Sequence, residues 1–173
     1  MEWKARLYLD VDECLNANNP DPDWGEVARG DVFINHGGGY RSKFKFVWAP
    51  ALVVALDALR TEFDVELVWL SSWCEDLLVT RKLAPMFNGL RDGRVLNYRD
   101  GVGSGLWKPE SLLADQRGDK MPFIWVDDFE VPAYGDMVAE QTPNTPSLLL
   151  APHVDVGLTP ADTAAMRTFL TEH

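Results

Sequence analysis

The chain has 173 residues, 46% hydrophobic and 25% charged, a balance that suits a folded core and excludes a disordered polar chain. Sixteen basic residues against 27 acidic ones leave a net charge of −11, which disfavours extended binding along a duplex phosphate backbone. Two cysteines, Cys14 and Cys74, supply neither a disulfide framework nor a zinc ligand set.

Residues 6–10 are a strand candidate ending in carboxylates, and 15–30, rich in Asn, Pro, Asp and Gly, read as loop. Aromatic and β-branched runs at 31–35 and 40–48 flank His36-Gly37-Gly38-Gly39, which predicts a β-hairpin rather than a phosphate loop, since no helix start follows the glycines. Its second strand carries Arg41, Lys43 and Lys45, a local exception to the acidic balance. Helical spacing of Leu52, Val53, Leu56 and Leu59 predicts a helix over 50–63, followed by a buried strand over 64–70. Helical spacing returns over 73–86, with Leu77, Leu78 and Leu83 on one face, and a weaker strand covers 94–98. A helix opens at Lys108-Pro109, an apolar strand spans 122–127, a short helix 133–140 and a further strand 147–151. The last helix starts with Thr159 as cap, Pro160 in the first turn and Asp162 three residues after the cap. No apolar run reaches the ~18–20 residues of a membrane span, and the N-terminus lacks a secretory pattern. A soluble, cytoplasmic chain forming one domain over 1–173, with no membrane partner, is expected.

Strands alternating with helices predict an α/β, Rossmann-like sandwich in three layers around a mainly parallel five-stranded sheet. Ligands of such sheets bind beyond the carboxyl ends of the strands. The residues there are Asp10 and Asp12, then Ser71 and Ser72, then Asp127 and Asp128, with Lys108 opening a helix between. Two like charges ~4 Å apart repel by about 4 kcal/mol at an effective dielectric near 20. Several carboxylates meeting at one edge therefore call for a cation, and an all-oxygen donor set favours a hard divalent ion such as Mg²⁺. Each acidic pair taken alone also suits a turn or a helix cap.

These segments resemble the motifs of the haloacid dehalogenase (HAD) superfamily of phosphotransferases. Tyr8-Leu9-Asp10-Val11-Asp12-Glu13 is similar to its first motif, Val68-Trp69-Leu70-Ser71-Ser72 to its second, Trp107-Lys108-Pro109 to its lysine motif, and Ile124-Trp125-Val126-Asp127-Asp128 to its acidic fourth motif. More narrowly, Trp69-Leu70-Ser71-Ser72-Trp73, Trp107-Lys108 and Gly157-Leu158-Thr159 resemble the HAD domains of Swiss Army Knife RNA-repair proteins of actinobacteria and their phages. The resemblance implies a phosphatase in which Asp10 attacks phosphorus and carries an aspartyl-phosphate. Asp12 would serve as general acid and base and give the metal its backbone carbonyl. Ser71 would bind a phosphoryl oxygen beside Ser72, and Lys108 would balance the charge of phosphate and Asp10. Asp10, Asp12, Asp127 and Asp128 are then the metal residues, with Asp128 the expected direct ligand and the order of the last pair left open. Lys82 and Lys120 are rivals to Lys108.

The loop and hairpin of 13–49 are too small for the full cap that many such proteins carry, and form a flap. Its Trp24, Phe33, His36, Tyr40, Arg41, Lys43 and Lys45 suit base stacking and phosphate attraction, with Arg41 and Lys43 as candidate substrate contacts; packing of the aromatics on the sheet is the plainer role. The expected substrate is a phosphorylated small molecule or a nucleic-acid 3′ end. A catalytically silent binding module is the competing function; a glycosyltransferase leaves the second acidic pair and Lys108 unexplained. Oligomeric state is not legible.

Overall fold

In a computed structural model, residues 2–96 and 106–173 are described. Strand β1 (Ala5–Leu9) is followed by an antiparallel hairpin, β2 (Ala28–Asn35) and β3 (Arg41–Trp48), then by α1 (Pro50–Phe63) and β4 (Val65–Trp69). A single helical turn, α2 (Ala84–Phe87), leads to β5 (Arg94–Val95). Then come α3 (Trp107–Gly118), β6 (Phe123–Val126), α4 (Glu130–Gln141), β7 (Ser147–Leu150) and α5 (Pro160–Glu172). The main sheet has the order β5-β4-β1-β6-β7, with every pairing parallel. This is the three-layer α/β sandwich expected, with the hairpin as a separate ribbon.

Side-chain alternation divides the core in two. Leu7, Leu9, Leu67, Trp69, Ile124 and Val126 point to one face, where α1 and α5 cover them with Leu52, Leu56, Met166 and Phe169. Tyr8, Val68, Phe123 and Trp125 point to the other face, against Leu112 and Leu113 of α3 and Val138 of α4. Such strands, buried on both faces, read as continuous apolar runs, which is why the sequence marks them so clearly. Helix α1 has the predicted bounds and ends at Asp64, which takes a left-handed φ of 54° and caps Arg60. The Thr159–Asp162 capping box is present at α5.

The helix predicted over 73–86 is not a single helix. A 3-10 segment, Ser72–Leu77, is kinked where Asp76 and Leu77 adopt φ values of 50° and 58°; a π-turn, Val79–Leu83, and α2 follow. Pro85 has no N–H and its ring crowds the carbonyl four residues back, so a regular α-helix cannot run through it. Leu77 consequently points to solvent instead of sharing the face of Leu83. Strand β2 starts three residues before the predicted run, and α4 starts at Glu130. The strand predicted over 94–98 is seen at Arg94–Val95, and its residues 97 and 98 lie outside the described residues. No described helix is long and apolar enough to cross a membrane.

Candidate active site

The ladder sets the site. Leu9 of β1 pairs with Trp69 of β4 on one side and Val126 of β6 on the other, so the residues that follow these three strands emerge together at one sheet edge. Backbone bonds continue past the strands: Asp10 N–H donates to the Val126 carbonyl at 3.1 Å, and Leu70 N–H to the Leu9 carbonyl at 3.0 Å. Helix α3 enters from above with Lys108 in its first turn.

Oxygen atoms of Asp10, Asp127 and Asp128 lie within 4.8 Å of one another. The buried Lys108 ammonium sits between two of them, with Nζ 2.5 Å from Asp10 Oδ2 and 2.6 Å from Asp127 Oδ2. Asp10 Oδ1 accepts from the Val11 N–H at 2.7 Å. Asp127 Oδ1 accepts from Phe129 N–H and Glu130 N–H at 3.1 and 2.7 Å, so this side chain also seats the start of α4. Ser71 is fully buried, and its hydroxyl accepts from the Trp73 N–H. Burial raises the Asp10 pKa; Lys108 and Ser71 oppose the rise and Asp127 adds to it. Lys108 is held firmly protonated: burial alone would lower its pKa, and the two carboxylates more than reverse this. Asp128, half-buried, is raised by burial and by Asp10.

One ammonium against this many carboxylates leaves anionic charge uncompensated, and the donors are all hard oxygens. The trio fits a small divalent ion. Asp12 stands apart from it by side chain. Its Oδ2 accepts from the Trp73 indole N–H at 2.7 Å and its Oδ1 from the Asn16 amide at 2.9 Å.

The structure thus brings Asp10, Ser71, Lys108, Asp127 and Asp128 into mutual reach, and of the three rival lysines it is Lys108 that enters. Ser72 is exposed at the start of the kinked segment. Arg41 and Lys43 lie on the hairpin, and their contacts are internal to it: Arg41 covers the Phe33 ring at 3.8 Å and Lys43 pairs with Asp31 at 2.8 Å. Trp24 leaves the aromatic group of the flap, because its indole N–H donates to the Leu158 carbonyl at 2.8 Å and anchors it near the C-terminal turn. Cys14 is buried beside Asp10, Asp127 and Asp128, and burial first and those charges second push its thiol pKa well above the ordinary value, so it is no thiolate nucleophile.

Three residues escaped the sequence reading. Trp73 and Asn16 hold Asp12, as described, and Glu130 lies at the rim of the trio, 7% exposed, with Oε2 lacking any hydrogen-bond partner among the described residues. Burial, then the charge of Asp127, pushes the Glu130 pKa up to about 7. Its position three residues after Asp127, in Asp127-Asp128-Phe129-Glu130, was the available signal.

A family model described as the HAD domain in Swiss Army Knife RNA repair proteins matches residues 6–163. The chain belongs to this HAD family. The match runs from the start of β1 into α5 and so contains every residue of the site. No curated protein and no solved structure matches the chain. The strand-end acids of this HAD domain, with their buried lysine, are consistent with the phosphoryl-transfer chemistry that its fold supports.

Proposed function

We propose that this HAD domain is a Mg²⁺-dependent phosphatase that hydrolyses a phosphomonoester, with a phosphorylated RNA end as its substrate. The observation that carries the reading is the placement of Lys108 between Asp10 and Asp127 with Asp128 within 4.8 Å, all at the carboxyl edge of adjacent parallel strands. Asp127 is fully buried and accepts from three protein donors, which favours the half-buried Asp128 as the direct metal ligand of that pair and gives Asp127 a supporting role. When bound, Mg²⁺ would neutralise phosphate oxygens as they approach the carboxylates.

The protein groups then divide the reaction. An Asp10 oxygen attacks phosphorus in line, forming an acyl-phosphate bond while the bond from phosphorus to the leaving oxygen breaks. Asp12 gives its proton to that oxygen, and the alcohol departs. A water molecule next loses a proton to the Asp12 carboxylate and attacks the same phosphorus, which releases inorganic phosphate and restores Asp10. Lys108 balances the negative charge shared by Asp10 and the phosphoryl group, and Ser71 orients the Asp10 carboxylate or meets a phosphoryl oxygen. The RNA end is favoured by the RNA-repair description of the family, and a flap too small for a full cap leaves the edge open to a substrate of that size.

The test is turnover of para-nitrophenyl phosphate and of a 3′-phosphorylated oligoribonucleotide with Mg²⁺, after EDTA, and after Mg²⁺ is restored. Activity should vanish with chelation and return with the ion. Asp10→Asn should lose at least about 10³-fold in kcat while keeping its circular dichroism spectrum. Full activity in EDTA, or in Asp10→Asn, overturns the mechanism.

A further inference from the structure

The hairpin has two unlike faces. Cross-strand register places Ala28, Gly30, Val32 and Ile34 beside Trp48, Phe46, Phe44 and Ser42 on the inner face, where Phe44 and Phe46 each meet the Trp73 ring edge-on at 5.1 Å. The outer face carries Arg29, Asp31, Phe33 and Asn35 beside Val47, Lys45, Lys43 and Arg41, and all of these except Val47 are exposed. Four cations against one carboxylate gather there, in a chain whose acidic residues outnumber its basic ones 27 to 16. The charge is ordered around an aromatic ring: the Arg41 guanidinium lies 3.8 Å from the Phe33 centroid and Lys43 Nζ 5.7 Å from it. At the tip, Tyr40 is 66% exposed and its ring lies 5.2 Å from that of His36. At the side of the ribbon, next to Lys82 and to Met86 of α2, is a hollow of about 270 Å³ that is also lined by Asp31, Phe33, Asn35 and Arg41. It thus combines an aromatic ring, two cations and an amide with donors and acceptors for a base edge.

We propose that the outer face of the hairpin is a binding surface for single-stranded RNA, gripping the strand whose phosphorylated end enters the site at the sheet edge. The proposal rests on the phosphatase reading for the fate of the strand end, though not for binding itself. Cations interleaved with rings suit a single strand, in which phosphates alternate with unpaired bases free to stack on aromatic or guanidinium planes. A duplex hides its bases, and the deep, narrow major groove of an RNA duplex is closed to side chains. The net charge of −11 repels the long phosphate track of a duplex, whereas a single strand confined to the ribbon meets the local cations first.

The probe is a fluorescein-labelled oligouridylate of about ten nucleotides ending in a free 3′ hydroxyl, titrated by anisotropy in EDTA so that catalysis plays no part. Binding should weaken with salt. In the triple variant Arg41→Ala, Lys43→Ala, Lys45→Ala the log–log salt slope should fall by about 2, at roughly 0.7 for each phosphate that is no longer neutralised. Phe33→Ala should weaken binding by about 5- to 150-fold, the worth of one stacked base. Lys120→Ala, which removes one positive charge just beyond the C-terminus of α3, should leave the affinity unchanged. The proposal is overturned if the wild-type protein does not bind the probe at low salt, if a blunt RNA duplex binds more tightly, or if polyaspartate displaces the probe and Phe33→Ala has no effect. Phosphatase turnover without probe binding removes the surface and leaves the phosphatase; probe binding without turnover does the reverse.

Discussion

At the scale of single residues, Asp12 differs most from its expected surroundings. A carboxylate two positions after a nucleophile should face the same pocket, yet its two oxygens are committed to the Trp73 indole and the Asn16 amide at 2.7 and 2.9 Å. Two hydrogen bonds of this length fix the orientation of the side chain. Trp73→Phe keeps an aromatic ring against Phe44 and Phe46 and removes the one N–H that holds Asp12 Oδ2. If Asp12 carries the proton, kcat for para-nitrophenyl phosphate should fall by about 10- to 100-fold, with the Mg²⁺ concentration for half-activity unchanged. A shift in Mg²⁺ dependence instead would place Trp73 under the metal rather than under the acid. Glu130 is a related case: its Oε2 lacks a hydrogen-bond partner among the described residues on a side chain only 7% exposed, which the proposed divalent ion at the neighbouring trio would make tolerable.

At the scale of elements, the turn before α5 braces the loop that follows β1. Leu158 N–H donates to the Cys14 carbonyl at 2.9 Å, and Gly157 takes a φ of 70° with its Cα so close that an added Cβ would lie 2.6 Å from the same carbonyl. Gly157→Ala should therefore lower stability by roughly 1–3 kcal/mol, read as a lower urea midpoint, and reduce turnover by displacing the loop that bears Asp12. A midpoint equal to wild type would mean that the loop is free to move away. Regular elements of this chain were legible because their signals are local: a period of 3.6 in α1, the apolar runs Leu67-Val68-Trp69 in β4 and Phe123–Val126 in β6, and the Thr159–Asp162 box at α5. The 72–87 segment misled because Leu77, Leu78 and Leu83 keep a helical spacing while Pro85 and two left-handed residues forbid the helix. In the site, strand-end acids could be found from pattern alone, whereas what confirms Lys108 over Lys82 and Lys120, and half of the clasp on Asp12, are contacts distant in sequence: Asp10 lies 98 residues from Lys108, and Trp73 lies 61 residues from Asp12.

At the scale of the whole molecule, a second ionic assembly ties α3 to the sheet near the start of β1. Arg6 bonds Glu66 at 2.9 Å and the Asp119 carbonyl at 2.6 Å, Arg94 joins Glu66 and Asp115 at 2.8 and 2.9 Å, and the Tyr8 hydroxyl donates to Asp115 at 2.7 Å. Because α3 carries Lys108, this assembly also sets how the ammonium enters the acidic edge. The Arg94 hydrogen bonds, joined by those of Arg6, hold Glu66 below the usual carboxylate range; at Asp115 burial pushes upward and the Arg94 and Tyr8 bonds outweigh it. Groups whose folded pKa is depressed stabilise the fold above their unfolded values and lose that contribution as pH falls through the folded ones. Thermal stability should thus be lost progressively below about pH 4.5. Asp115→Asn should be less stable at pH 7 by about 1–3 kcal/mol and show a shallower acid slope, measured by melting from pH 7 to pH 3. An unchanged slope would assign the acid sensitivity elsewhere.

The excursion between β1 and β4 departs and returns at one clasp: Ala17 N–H donates to the Val47 carbonyl at 3.0 Å, and Val47 N–H to the Asn16 side chain at 2.9 Å. Val47 contributes only its main chain to that closure, and the exposed outer-face side chains of the ribbon take no part in it. Substitution along that outer face should therefore leave the knot tied and the acidic edge beneath it unchanged.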